Sequence, residues 1–120
     1  RAERLCGESG AGELLPALDL DGLKARLARA AGVVGVDSGL AHVAAALGTP
    51  AVILYGPTRT GLTGAVGPRQ RNLESDLDCA PCLKRQCPRP GRGRVEPACF
   101  EALAPERAWK ALQAQMEGCP

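Results

Sequence analysis

Apolar residues recur along the first half of the chain in two alternating rhythms. Leu20, Leu23 and Leu27, followed by Ala30 and Ala31, return at the spacing of one helix face, and Asp19 stands where its carboxylate caps the first turn. The pattern predicts a helix over residues 20–31, ended by Gly32. Val33, Val34 and Val36 then form a β-branched run without polar alternation, as expected of a strand buried on both faces of a parallel sheet. Asp37-Ser38-Gly39 breaks it. Residues 40–47 are almost wholly apolar and rich in alanine, which predicts a second helix, stopped by Gly48 and Pro50. Ala51-Val52-Ile53-Leu54-Tyr55 predicts a second buried strand, and Gly56-Pro57 turns the chain at its end. Helix, strand, helix and strand joined by short connections are the grammar of βαβ units, so the fold class is α/β with a parallel sheet.

Beyond Gly61 this rhythm is lost. Gly64, Gly67 and Pro68 mark loop, residues 74–78 are acidic, and residues 79–99 hold four cysteines and an excess of arginine. Pro105 then suits a first helical turn, and Trp109, Leu112 and Met116 follow at spacings of three and four, predicting a closing helix of about twelve residues whose Trp stripe packs on the rest. The opening Arg1-Ala2-Glu3-Arg4-Leu5-Cys6 reads as the end of a helix that starts upstream, so the chain is expected to be a fragment. The expected organisation is a partial α/β domain over 1–72, a cysteine-rich insertion over 73–100, and a helix over 101–120 that packs back. There is no internal repeat.

Composition narrows the function. Of 120 residues, 45% are hydrophobic and 23% charged, and 15 Lys and Arg against 13 Asp and Glu leave a net charge of +2. That is a globular composition with room for one core. Tyr55, Phe100 and Trp109 are the only aromatics, too few for a stacking platform, and the near-neutral charge argues likewise against a nucleic-acid partner. No apolar run reaches the roughly 18 residues of a membrane span, and the start does not read as an export signal.

The most informative junction is Val36-Asp37-Ser38-Gly39-Leu40-Ala41-His42, where a strand runs directly into a helix. The first backbone N–H groups of a helix lack internal partners and carry the positive end of its dipole, so phosphate oxygens are favoured there. Gly39 lets a ligand approach the backbone, and the C-terminal ends of strands are where open α/β sheets bind ligands. The plainer reading is that Asp37 and Ser38 only cap a helix, and that His42, the sole histidine, only fills the core. Gly56-Pro57-Thr58-Arg59-Thr60-Gly61-Leu62-Thr63 has P-loop spacing, but Leu62 replaces the lysine that reaches the β- and γ-phosphates, which excludes triphosphate hydrolysis. Such a Gly/Thr loop still suits a sugar or diphosphate. Gly7-Glu8-Ser9-Gly10-Ala11-Gly12 has the wrong spacing for a dinucleotide fingerprint, and no strand precedes it.

Cys79, Cys82, Cys87 and Cys99 form the second signal, since four thiolates gathered by turns suit structural zinc. Free thiols, disulfides and an iron–sulfur cluster compete with it, and six cysteines in disulfides would allow fifteen pairings. Lys84, Arg85, Arg89, Arg92 and Arg94 around them form either a basic patch or a solvated loop.

Val36-Asp37-Ser38-Gly39-Leu40-Ala41-His42-Val43-Ala44-Ala45-Ala46-Leu47-Gly48, followed by Val52-Ile53-Leu54-Tyr55-Gly56-Pro57-Thr58, resembles the donor-binding signature of the lipopolysaccharide heptosyltransferases, glycosyltransferase family nine. Gly61-Leu62-Thr63-Gly64 and the closing Pro105-Glu106, Trp109 and Leu112 are more similar to the heptosyltransferase I branch than to the heptosyltransferase II branch. The resemblance implies a Rossmann-like parallel sheet, the C-terminal half of a GT-B glycosyltransferase that moves heptose from ADP-heptose to the Kdo of the lipopolysaccharide inner core with inversion. It implies that Ser38, Gly39 and Leu40 cradle the pyrophosphate, that His42 lies beside it, and that Asp37 contacts the donor near its heptose and phosphates. It places the general base in an N-terminal domain, and the lysine and acid that hold the donor phosphates and ribose upstream of Arg1, so no catalytic residue is expected in this chain. No cofactor is implied for transfer. The partners implied are ADP-heptose, a Kdo-lipid A acceptor and the missing N-terminal domain, in the cytoplasm and peripheral on the inner membrane. The chain departs from the family at Arg59-Thr60, where Asp-Pro is common. Two rivals stand beside this expectation: a non-catalytic zinc-binding interaction module, and a glycosyltransferase of the same fold using another nucleotide sugar.

Overall fold

A computed structural model of the chain describes residues 2–58, 60, 64, 66–76, 80, 82–83, 87, 98–100 and 102–117. Among these run α1 (Ala2–Ser9), α2 (Leu20–Arg29), β1 (Val33–Val36), α3 (Gly39–Ala46), β2 (Ala51–Tyr55), β3 (Gln70–Glu74) and α4 (Pro105–Met116), with a 3-10 turn at Ala98–Phe100. The three strands lie in the order β1-β2-β3, every pair parallel. Val33 stands opposite Ala51, and Ala51 opposite Gln70. This is a Rossmann-like parallel sheet with helices on both faces.

The pleat of β2 divides the core into two layers. Ala51, Ile53 and Tyr55 point to one face and pack with Ala41, Ala44 and Ala45 of α3. Val52 points to the other and joins Leu73, Leu103 and Leu112, with Leu54, Phe100 and Met116 at the margin. Alanine along α3 therefore has a structural reason: small side chains bring the helix close to the central strand. The turn after α3 uses Gly48 at φ 72°, a left-handed conformation that closes the helix before Pro50. Buried Thr49 donates from Oγ1 to the Leu27 carbonyl at 2.8 Å and ties α2 to this turn.

Sequence and structure agree on most elements. Asp19 accepts from the Gly22 N–H at 2.8 Å as the cap of α2, which ends at Arg29, slightly short of the expected 31. Pro105 opens α4, whose far end is held by Arg69 donating to the Gln115 and Met116 carbonyls at 3.0 and 3.2 Å.

Three expectations are corrected. β1 is not buried on both faces: Val34 and Val36 are about half exposed, at 53% and 50%. The strand order puts β1 at the edge of the described sheet, and α4 lies mainly over β2 and β3. Trp109 does not pack into the core either, because the buried side of α4 centres on Ala108 and Leu112 and leaves the indole 55% exposed. Finally, the stretch beyond Gly61, where no strand was expected, contains the third strand, β3 at Gln70–Glu74. Among the described residues, no helix is long and apolar enough to cross a membrane.

Candidate functional site

Where β1 ends, the chain enters α3 without closing off the helix terminus. Ser38 is the N-cap residue, with extended backbone at φ −158° and ψ 169°, and its hydroxyl makes no capping hydrogen bond. The Ala41 N–H turns back to the Ser38 carbonyl at 3.1 Å, while the amides of Gly39 and Leu40 precede the first position with an intrahelical acceptor. A Cβ built on Gly39 would have no heavy atom within 4 Å, so the chain is open on that side of Gly39. The capping-only reading of Ser38 is therefore corrected, and so is the core reading of His42, which is exposed one turn into α3. Asp37, Ser38, Gly39, Leu40 and His42 come together in this single strand-to-helix turn, with Asp37 half-buried at its base.

Beside that terminus is a cavity of about 160 Å³. Val36 and Asp37 line it from the end of β1, and Leu54, Gly56, Pro57 and Thr58 from the end of β2. Phe100 closes it from far along the chain. The site thus sits at the C-terminal ends of two adjacent parallel strands, where the dipoles and free amides of a βαβ unit converge. The loop after β2 is held in place by its neighbours. Thr60 donates from its backbone N–H to Glu74 Oε1 at 2.9 Å, its hydroxyl bonds the same oxygen, and the Ser75 N–H donates to the Tyr55 carbonyl at 2.9 Å.

Two described parts of the cysteine-rich stretch also reach this loop. The Leu83 N–H donates to the Pro57 carbonyl at 2.7 Å, with Leu83 itself at φ 61°. Buried Cys99 lies so close to Gly56 that an added Cβ would stand 2.8 Å from its Sγ and 2.9 Å from the Phe100 ring. Sequence reasoning took this stretch for a cysteine-rich insertion and did not place Phe100 in a site. A lone aromatic followed by a helix start carries no periodic signal that points to a site.

Of the expected metal set, Cys79 lies outside the described residues, as does Cys119. Cys6, Cys82 and Cys87 are half-buried free thiols, and Cys99 is buried. Among the described residues, no three His, Cys, Asp or Glu side chains are grouped to hold a metal ion.

Comparison with known proteins places these features in a family. The model of glycosyltransferase family 9 (heptosyltransferase) matches residues 1–91. Lipopolysaccharide heptosyltransferase 1 of Pseudomonas aeruginosa is 42% identical over 125 aligned residues, covering 97% of this chain and 35% of that protein. The proteins of the same name from Escherichia coli K12 and Salmonella typhimurium are 46% and 44% identical over 70 residues, covering 58% of this chain and 22% of each relative. The chain therefore spans about a third or less of the relatives it matches. No solved structure matches it.

Proposed function

The chain belongs to glycosyltransferase family 9 (heptosyltransferase), and from that premise we propose that it supplies the nucleotide-sugar half of a GT-B enzyme that transfers heptose from ADP-heptose to the Kdo of the lipopolysaccharide inner core. The observation that carries this reading is the open N-terminus of α3, where the Ser38 hydroxyl leaves the first amides uncapped and nothing lies within 4 Å of a Cβ on Gly39. Diphosphate oxygens seat on those amides, at the positive end of the helix dipole. His42, exposed in the next turn, donates a ring N–H to the same phosphates. Asp37, at the base of the turn, accepts from hydroxyls of the donor.

The chemistry is a displacement with inversion that requires no cofactor. An acceptor hydroxyl oxygen bonds to the anomeric carbon while the bond from that carbon to the β-phosphate oxygen breaks, and the hydroxyl proton passes to a base on the other domain. Negative charge grows on the departing ADP, and the Gly39 and Leu40 amides, fixed before reaction, stabilise it more in the transition state than in the ground state. An acceptor in the inner leaflet makes the whole enzyme cytoplasmic and peripheral to the inner membrane.

The test is ADP release by the full-length protein, with Kdo-bearing lipid A as acceptor and ADP-heptose, UDP-sugars and GDP-sugars as donors. Acceptor-dependent release from ADP-heptose alone is expected. Release from another donor would keep the reaction class and overturn the substrate, and no release from any donor by a folded protein would overturn the enzyme.

A further inference from the structure

The cavity beside α3 holds a polar atom that the reaction above does not use. Thr58 Oγ1 is buried and has no hydrogen-bond partner among the described residues. A buried hydroxyl without a partner costs free energy, and native proteins rarely keep one unless something outside the chain satisfies it. Thr58 lines the cavity together with Asp37, while Val36, Leu54, Pro57 and Phe100 give it an apolar wall. Two polar groups set against an apolar wall fit a ligand with hydroxyls on its edge and C–H bonds on its face, which is the chemistry of a sugar ring. At about 160 Å³ the space is well below the ~300 Å³ at which pockets for whole drug-sized ligands begin, so it takes one ring and not a complete nucleotide sugar.

We infer that Thr58 and Phe100 select the transferred sugar of the donor: the Thr58 hydroxyl hydrogen-bonds a ring hydroxyl, and Phe100 packs against the ring's C–H face. The inference rests on the nucleotide-sugar reading of the site and adds to it the two residues that distinguish ADP-sugar from ADP. The position supports it. Asp37 bounds the cavity and immediately precedes the N-cap of α3, so whatever fills the cavity lies next to the diphosphate seated on that helix. Phe100 has a fixed place because its ring edge lies against Gly56, where a Cβ would stand 2.9 and 3.0 Å from Cε2 and Cζ. The cysteine-rich stretch therefore ends in a wall of the sugar pocket.

Calorimetric titration of the full-length protein with ADP and with ADP-heptose tests this, using the isosteric Thr58→Val and the smaller Phe100→Leu. Each variant is expected to bind ADP-heptose about five- to tenfold more weakly than the parent, the loss of one hydrogen bond or of part of one apolar contact, and to bind ADP within about twofold. Because Thr58→Val removes a buried hydroxyl that has no partner among the described residues, the ligand-free variant is expected to melt no lower than the parent. Unchanged ADP-heptose affinity in Thr58→Val overturns the inference, and so does an equal loss for ADP and ADP-heptose, which would assign the cavity to the ribose. A lower melting temperature also overturns it, since the hydroxyl would then be satisfied within the fold. A parent protein that binds neither nucleotide overturns the nucleotide-sugar reading itself, a result distinct from a parent that binds both while its variants do not differ.

Discussion

At Gly39 and Gly56 the same residue type serves opposite purposes. An added Cβ at Gly39 meets nothing within 4 Å, so Gly39→Val has no clash in the ligand-free protein and is expected to shift its stability by no more than about 0.5 kcal/mol. Its methyl groups would occupy the space that a diphosphate must enter, and loss of even one charge-assisted hydrogen bond to the amides weakens ADP binding roughly tenfold or more. Titration and thermal melting of the full-length variant separate the two effects, and a parallel loss of stability and affinity would assign Gly39 a structural role. At Gly56 the added Cβ stands 2.8 Å from Cys99 Sγ and 2.9 Å from the Phe100 ring, both on the packed turn at Ala98–Phe100. Gly56→Ala is expected to cost about 1–3 kcal/mol by overpacking. Because the clash is shared, Cys99→Ala in that background is expected to cost less than in the parent, a non-additivity that a double-mutant cycle of denaturation midpoints measures.

The elements differ in how much tertiary packing supports them, and this decides which were legible. α2 has no buried residue and depends on local terms, chiefly the Asp19 carboxylate on the Gly22 N–H at 2.8 Å. Asp19→Ala is expected to destabilise α2 by about 0.5–2 kcal/mol and to speed amide exchange in its first turn while leaving β2 unchanged. Slowed or unaltered exchange there would show that packing on α3 holds the helix without its cap. Local chemistry of this kind can be read from sequence, as can the Pro105 start of α4 and the apolar run of β2. β3 could not. Gln70-Arg71-Asn72-Leu73-Glu74 offers only Leu73 to the core, and its strand conformation comes from parallel pairing with β2. The same division holds in the site. The junction from Asp37 to His42 is contiguous and carries its own signal, a strand entering a helix through Ser-Gly. Thr58 stood out only as part of a Gly/Thr loop, and Phe100 reaches the cavity through long-range folding that no local pattern encodes.

For the molecule as a whole, the core is thin. Among the described residues, Tyr55, Ile53 and Val52 are the largest fully buried side chains, one layer is largely alanine, and Val34 and Val36 stand about half exposed at the edge of the described sheet. An apolar edge strand is ordinarily covered or blunted in a finished protein. Since the aligned region is 35% of the Pseudomonas aeruginosa relative, the proposed two-domain reading assigns that cover to other parts of a longer polypeptide. Hydrogen exchange on the 120-residue chain and on the full-length protein under the same conditions tests this at one strand. Amides of β2 are central in both and are expected to be the slowest of the chain alone. Amides of β1 are expected to exchange at least about tenfold more slowly in the full-length protein, because a newly paired edge and a covered valine face both oppose local opening. Equal exchange of β1 in the two proteins would make Val34 and Val36 free surface in the complete molecule, and the division of the enzyme proposed here would fail at that edge.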